Sequence, residues 1–233
     1  ISGGLRRLII LIGRIINSNF MSQKKIIPAI IGQTYVQIEQ QMKVLEGHTE
    51  WVHLDVVDGK FAPVITWQAP NDLEFLNGQT KIEIHLMVEK PEEIISDWAE
   101  IADRIIIHQE ATENLREILD SFALSVVKIG VALLLPTPVE VLAPYLSKIN
   151  LVHLMSIAEI GEQGHSFDNR VLEKVKHLRA QAPDVTIQID GGVNLETAKL
   201  ALEAGADNLV IGSAIWQTPD PIKSLKGFQS LLL

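Results

Sequence analysis

A chain of 233 residues, 47% hydrophobic and 21% charged, can bury one sizeable core and is too short for two comfortable ones. Its formal net charge of −9 excludes a general nucleic-acid binder, which needs surplus Lys and Arg to neutralise phosphates. Cysteine is absent, which excludes disulfides, thiolate ligands and a Cys nucleophile and suits an intracellular, cytoplasmic location, so that any metal has to sit on His, Asp or Glu.

Residues 1–20 read as a leader outside the fold. They do not open on Met, whereas Met21 precedes the polar run Ser22-Gln23-Lys24-Lys25. The apolar segment from Leu8 to Ile12 is broken by Gly13 and Arg14, which makes it too short to span a bilayer. No small-residue cleavage site follows Arg6-Arg7, so a translated upstream extension fits better than a signal or anchor, and no membrane partner is expected.

Residues 21–233 are expected to form one domain, in which short β-branched runs alternate with helical patterns. The spacing predicts strands at Ile26–Ile31, Trp51–Val57, Lys81–Val88, Arg104–His108, Lys128–Leu135, Leu151–Ile157, Thr186–Ile189 and Asn208–Ile211, several of them apolar nearly throughout. After the first strand, Thr34 and Gln37 form a capping box ahead of Ile38, Met42 and Leu45. Pro91, Glu92 and Glu93 open a helix striped by Ile94, Ile95, Trp98 and Ile101. Leu115, Ile118, Leu119 and Phe122 repeat the pattern, as do Val171, Val175 and Leu178; Asn194 caps a helix that ends at Gly205. The stretch between the second and third strands is the least regular. Eight such units of roughly 25 residues fit a single closed (β/α)8 TIM barrel, and an open doubly wound sheet would be unusually long.

In a barrel of this kind, functional groups gather at the C-terminal ends of the strands. His53 and Asp55 are two apart in the second strand and so share a side; His85 lies in the third, and Asp190 ends the seventh. Each alone is more often a satisfied core or turn residue. Together, on apolar strands with few cations nearby in sequence, two imidazoles and two carboxylates make a site for one divalent metal ion: Zn²⁺, Fe²⁺, Mn²⁺ or Co²⁺. Asp58, next to Gly59, shapes a turn. Gly191 and Gly192 after the seventh strand, with Gly212 and Ser213 after the eighth, let backbone N–H groups approach an anion, and these adjacent turns are where barrels commonly hold phosphate. His108 and Glu110 either orient ligands from behind or belong to a solvated loop. His48, His153, His165 and His177 read as structural or surface residues.

The stretches HLDVVDGKFAP, IHLMVEKPEE, IIHQEAT and IDGGVNLETAKLALEAGADNLVIGSAIW resemble the ribulose-phosphate 3-epimerase family across essentially all of residues 26–216. That resemblance implies a barrel of the ribulose-phosphate-binding type and an isomerase of carbohydrate metabolism in the pentose phosphate pathway. It implies a small phosphorylated sugar as partner, with no organic cofactor, and it leaves room for a homo-oligomer. The activity it implies is metal-dependent epimerisation at C3, most directly of D-ribulose 5-phosphate to D-xylulose 5-phosphate, through an enediolate. His53, Asp55, His85 and Asp190 would then hold the metal, and Asp55 and Asp190 would be the catalytic acid/base pair. Gly192, Gly212 and Ser213 would cradle phosphate, with Met87, Met155 and His85 lining the pocket. The sequence departs from the family pattern at Gly32 (Ser), Val57 (Met) and Leu134 (Asn), and in MSIAEIGEQGHSF, where an Asn-Pro-Gly-Phe-Gly-Gly-Gln-like loop is usual. The alternatives are epimerisation of another ketose phosphate, such as a hexulose 6-phosphate, or a phosphosugar-binding paralogue without turnover.

Overall fold

All eight expected strands are present: β1 (Lys25–Ile30), β2 (Trp51–Val57), β3 (Lys81–Met87), β4 (Arg104–His108), β5 (Lys128–Leu133), β6 (Leu151–Met155), β7 (Thr186–Asp190) and β8 (Asn208–Ile211). The structure, a computed structural model, describes residues 24–75, 80–162 and 164–233; the leader expected at 1–20 and the start at Met21 lie outside them. The strands pair in parallel in sequence order, and β8 closes onto β1 to complete a (β/α)8 barrel. Strands β1, β3, β5 and β6 end one or two residues before their expected limits, where the chain turns into the mouth, and β7 runs on to Asp190, which pairs with Met155 and Val210.

On the side that faces the helices the strands are apolar throughout. Val52, Leu54 and Val56 of β2, Ile84 and Leu86 of β3, Ile105 and Ile107 of β4, and their counterparts around the sheet form a continuous buried shell beneath the helices. Burying each such side chain is worth about 1.5–3 kcal/mol, so the stability of the barrel resides mainly in this outer shell. The alternate positions face the barrel axis and mix an apolar cluster of Ile106, Ala132 and Leu151 with polar groups: His53, Asp55, Glu83, His85, His108, His153, Gln188 and Asn208 are all buried. Gln188 of β7 hydrogen bonds to Glu83 of β3 across the interior.

Two helices show the expected chemistry closely. Helix Tyr35–Leu45 has both halves of its capping box, and helix Leu195–Ala204 starts at Asn194, whose Oδ1 accepts from Glu196 and Thr197 N–H groups, and ends at Gly205 with φ +110°. Elsewhere the expectation is corrected. The segment opened by Pro91 is a 3₁₀ turn (Pro91–Glu93) followed by a separate short helix (Ile95–Ala99); no side chain caps either piece, and β-branched Ile94 and Ile95 sit at the break. Among the described residues joining β2 to β3 and β5 to β6, the helical segments are 3₁₀ turns alone, Pro70–Phe75 and Val139–Leu142. Pro136, Pro138 and Pro144 deny the second connection a regular helix. Among the described residues, no helix is long and apolar enough to cross a membrane.

Candidate active site

Parallel pairing sets Asp55 beside His85 in register, and the two-residue period puts His53 one layer below Asp55 on the same side. The polar atoms converge accordingly. His53 Nε2 lies 3.2 Å from Asp55 Oδ1 and 3.3 Å from His85 Nδ1, and His85 Nδ1 lies 3.1 Å from Asp55 Oδ1. Asp190 Oδ2, from across the barrel, is 3.7 Å from His53 Nε2 and 3.8 Å from His85 Nδ1. The four residues singled out from the sequence therefore meet at one point.

Donors on a tetrahedral ion with bonds of about 2.0–2.1 Å stand roughly 3.3 Å apart. The observed separations of 3.1–3.8 Å match that spacing. The far ring nitrogens are engaged as ligand histidines require: His53 Nδ1 donates to Glu83 Oε1 at 2.7 Å, and His85 Nε2 sits 2.9 Å from His108 Nε2. These side chains fit a divalent metal. Glu83 is anchored in turn by Arg104, whose guanidinium stacks 4.5 Å over the Trp51 ring. His108 is fully buried, with Nδ1 3.4 Å from Glu110 Oε2, so it stands behind His85 and is no loop residue.

The surroundings separate the two carboxylates. Burial disfavours charge on Asp55, but His53 and His85 outweigh it and hold the acid well below its usual range. For Asp190 burial wins, reinforced by the charges of Asp55 and Glu83, and its pKa is pushed up to about 6. His53 is raised well above an ordinary imidazole: burial opposes this, and the carboxylates of Asp55 and Glu83 prevail. His85 is depressed to about 3 by burial and neighbouring imidazoles.

Met87, Met155, Gly191, Gly192, Gly212 and Ser213 line one cleft with Asp55 and Asp190, walled by Ile157, Glu162 and His165 of the loop after β6. Gly191 and Gly192 have φ +110° and +64°; a Cβ on Gly192 would lie 2.3 Å from Phe167 N, so the turn after β7 runs hard against that loop. Asp58 does shape its turn, accepting from Lys60, Phe61 and Glu89 N–H groups. Of the histidines read as structural or surface, His48 and His177 are exposed and His165 borders the cleft. His153 needs correction. It lies fully buried in the cluster, its Nε2 3.3 Å from Asp190 Oδ2, and one donor atom each from His53, His85, His153 and Asp190 falls within 4.8 Å. Glu83, Gln188 and His153 went unnoticed as site residues, although each stands two before a residue that was singled out (His85, Asp190 and Met155) and so faces the same way.

The model of the ribulose-phosphate 3 epimerase family matches residues 25–216. The chain belongs to the ribulose-phosphate 3-epimerase family. The ribulose-phosphate 3-epimerase of Schizosaccharomyces pombe is 33% identical over 219 residues, covering 91% of this chain and 96% of the relative. That of Bacillus subtilis is 35% identical over 210 residues, covering 86% and 96%. Among solved structures, a 3-hexulose-6-phosphate synthase superposes with a TM-score of 0.67 at 16% identity, covering 88% of this chain and 98% of that one. The orotidine 5'-phosphate decarboxylase of Pyrococcus horikoshii gives 0.62 at 15%, covering 89% and 99%. At such identities these two show the shared barrel alone. The departures from the ribulose-phosphate 3-epimerase pattern gather at the mouth. Val57 packs with Met87, Met155, Ile157 and Ile160, and Leu134 lies against them. Gly32 lines an adjoining groove with Gln37, Gln41 and Glu162.

Proposed function

We propose that this chain epimerises C3 of a ketose phosphate, with D-ribulose 5-phosphate and D-xylulose 5-phosphate as the pair. Membership of the ribulose-phosphate 3-epimerase family supports the reaction class, and that class is an isomerase acting on carbohydrates. The observation that carries the mechanism is the convergence of two carboxylates, Asp55 from β2 and Asp190 from β7, on one imidazole pair, with oxygens 3.1–3.8 Å from His53 Nε2 and His85 Nδ1.

Inversion beside a ketone removes a weakly acidic proton from one face and returns a proton to the other. Asp55 on β2 and Asp190 on β7 would be the two groups, one taking the proton from one face while the other returns a proton to the opposite face. They exchange roles when the reaction runs backward. His53 Nε2, Asp55 Oδ1, His85 Nδ1 and Asp190 Oδ2 would hold the metal, with Zn²⁺, Fe²⁺, Mn²⁺ and Co²⁺ all suited to such donors. When bound, it supplies positive charge to stabilise the oxyanion that develops on the substrate. Backbone N–H groups at Gly191, Gly192, Gly212 and Ser213 would take the phosphate, and the loop after β6 would exclude water from the enediolate.

The test incubates the protein with each metal and ribulose 5-phosphate in deuterated water and follows C3 by NMR. Deuterium at C3 with xylulose 5-phosphate appearing is the expected result, and Asp190→Asn should abolish both while the barrel stays folded. Absence of exchange with every metal rejects ribulose 5-phosphate; exchange restored by a hexulose 6-phosphate would move the assignment to the longer sugar. Near-normal turnover in Asp190→Asn would sink the two-carboxylate scheme.

A further inference from the structure

We propose that His153 is a positioning residue for Asp190, donating from Nε2 to the Asp190 carboxylate, and is not a metal ligand. The inference rests on the reading of Asp190 as an acid/base group. Distance alone favours the opposite assignment, because His153 offers a donor atom within 4.8 Å of those of His53, His85 and Asp190. The hydrogen-bond partners of the other ring nitrogen decide against it.

Glu83 is a fully buried carboxylate that accepts from Arg104 and His53. Gln188 lies against it with its amide nitrogen 2.5 Å from Glu83 Oε1, and the amide oxygen accepts from Asn208 Nδ2 at 3.1 Å. The contact with Glu83 fixes which end of the Gln188 amide is nitrogen, since an ionised carboxylate can only accept, and the Asn208 contact is consistent with it. That same nitrogen lies 3.1 Å from His153 Nδ1. An amide NH₂ only donates, so Nδ1 must accept, and a ring that accepts at Nδ1 carries its proton on Nε2. A cationic ring is excluded by the same contact, because its Nδ1–H would face the amide protons.

A protonated Nε2 has no lone pair to give a metal, but it is a donor, and it is fully buried with no hydrogen bond satisfied in its present alignment. Asp190 Oδ2 lies 3.3 Å away. The His53 ring, stacked at 5.4 Å with an interplanar angle of 9°, limits the tilt of His153. Glu83, Gln188 and His153 thus form a relay of fixed polarity that ends on Asp190 Oδ2, the oxygen that also faces His53 and His85. Partners of this kind typically change metal affinity or activity by 10–100-fold when removed.

The test uses the full chain labelled with ¹⁵N-histidine, with and without added Zn²⁺, in which long-range ¹H–¹⁵N correlations report the protonated ring nitrogen. His153→Gln identifies the His153 signal by its loss. A neutral ring protonated at Nε2 in both samples is expected; an Nε2 that loses its proton on adding Zn²⁺ would overturn the proposal and make His153 a ligand. The kinetic arm compares variants of an active wild type. His153→Leu should lower kcat by about 10–100-fold with KM unchanged, and His153→Gln, which restores an N–H donor, should recover most of it. Equal kcat in all three overturns the positioning role. A wild type that exchanges no proton at C3 defeats the proposed epimerase instead, and the tautomer measurement still decides the relay, whatever the fate of the leucine variant.

Discussion

Asp55 and Asp190 are the same side chain in two different fields, and the difference gives metal binding a pH dependence with a definite sign. A metal takes deprotonated donors. His53, raised well above its ordinary range by Asp55 and Glu83 against the effect of burial, and Asp190, pushed up to about 6 by burial, must both release protons on binding. Affinity should therefore rise as pH increases through 6, by about tenfold per unit for each proton displaced. Asp55 is already ionised there and contributes no slope. Competition with a chelating dye between pH 5.5 and 7.5 would measure this, and a flat affinity would mean that neither group takes part. In the protein without metal, the raised value of Asp190 contributes stability below the ordinary carboxylate range and loses it as pH climbs through 6. Asp55 and Glu83 have the opposite sign, stabilising above the ordinary range and ceasing to do so as pH falls.

At the scale of elements, the loop after β6 and the turn after β7 act as one unit. Alanine at Gly192 would have to adopt φ +64° and bring a Cβ within 2.3 Å of Phe167 N, so the loop must move. Gly192→Ala is expected to cost about 1–3 kcal/mol and to raise KM for the phosphosugar, read by thermal unfolding and steady-state kinetics. An unchanged KM alongside a lowered Tm would separate the loop from the substrate site. Glu162 carries a carboxylate into the cleft lined by Gly191, Gly192 and Ser213. Glu162→Gln should lower KM for a phosphate dianion several-fold at low salt, with the gap closing as ionic strength rises; equal KM values at low salt would place that charge away from the phosphate. The strands were legible in the sequence because their outward residues are β-branched, and the metal quartet because it stood out against them. His153, Glu83 and Gln188 were not singled out, since their meaning depends on partners from other strands: 30 residues separate Glu83 from His53, and 105 separate it from Gln188. The break at Ile94 was hidden for a different reason. An apolar stripe records burial, which a 3₁₀ turn against the same shell satisfies equally well.

Across the whole molecule, stability and function occupy opposite faces of one sheet. The outer face supplies the apolar shell, and the inner face, beside a small apolar cluster, carries ionisable groups that have to compensate one another. A vulnerable point of that arrangement is Glu83, a fully buried carboxylate held by Arg104, which reaches it beneath the Trp51 ring, and by His53. Removing one partner of a buried pair costs about 3–5 kcal/mol, and loss of Arg104 would leave Glu83 with His53 alone to compensate it. At about 2–4 °C per kcal/mol for a chain of this length, Arg104→Met should lower Tm by about 6–20 °C. Arg170→Ala, which breaks an exposed pair with Asp168, should leave Tm unchanged. Since Glu83 holds His53 Nδ1, the Arg104 variant should also bind metal more weakly and gain less from it. For the wild type, Zn²⁺ at a hundredfold excess over its Kd adds about 2.7 kcal/mol. Calorimetry of both proteins with and without Zn²⁺ measures the coupling: a variant as stable as wild type, or one with an undiminished Zn²⁺ shift, would show that the base of the barrel and its metal site are energetically independent.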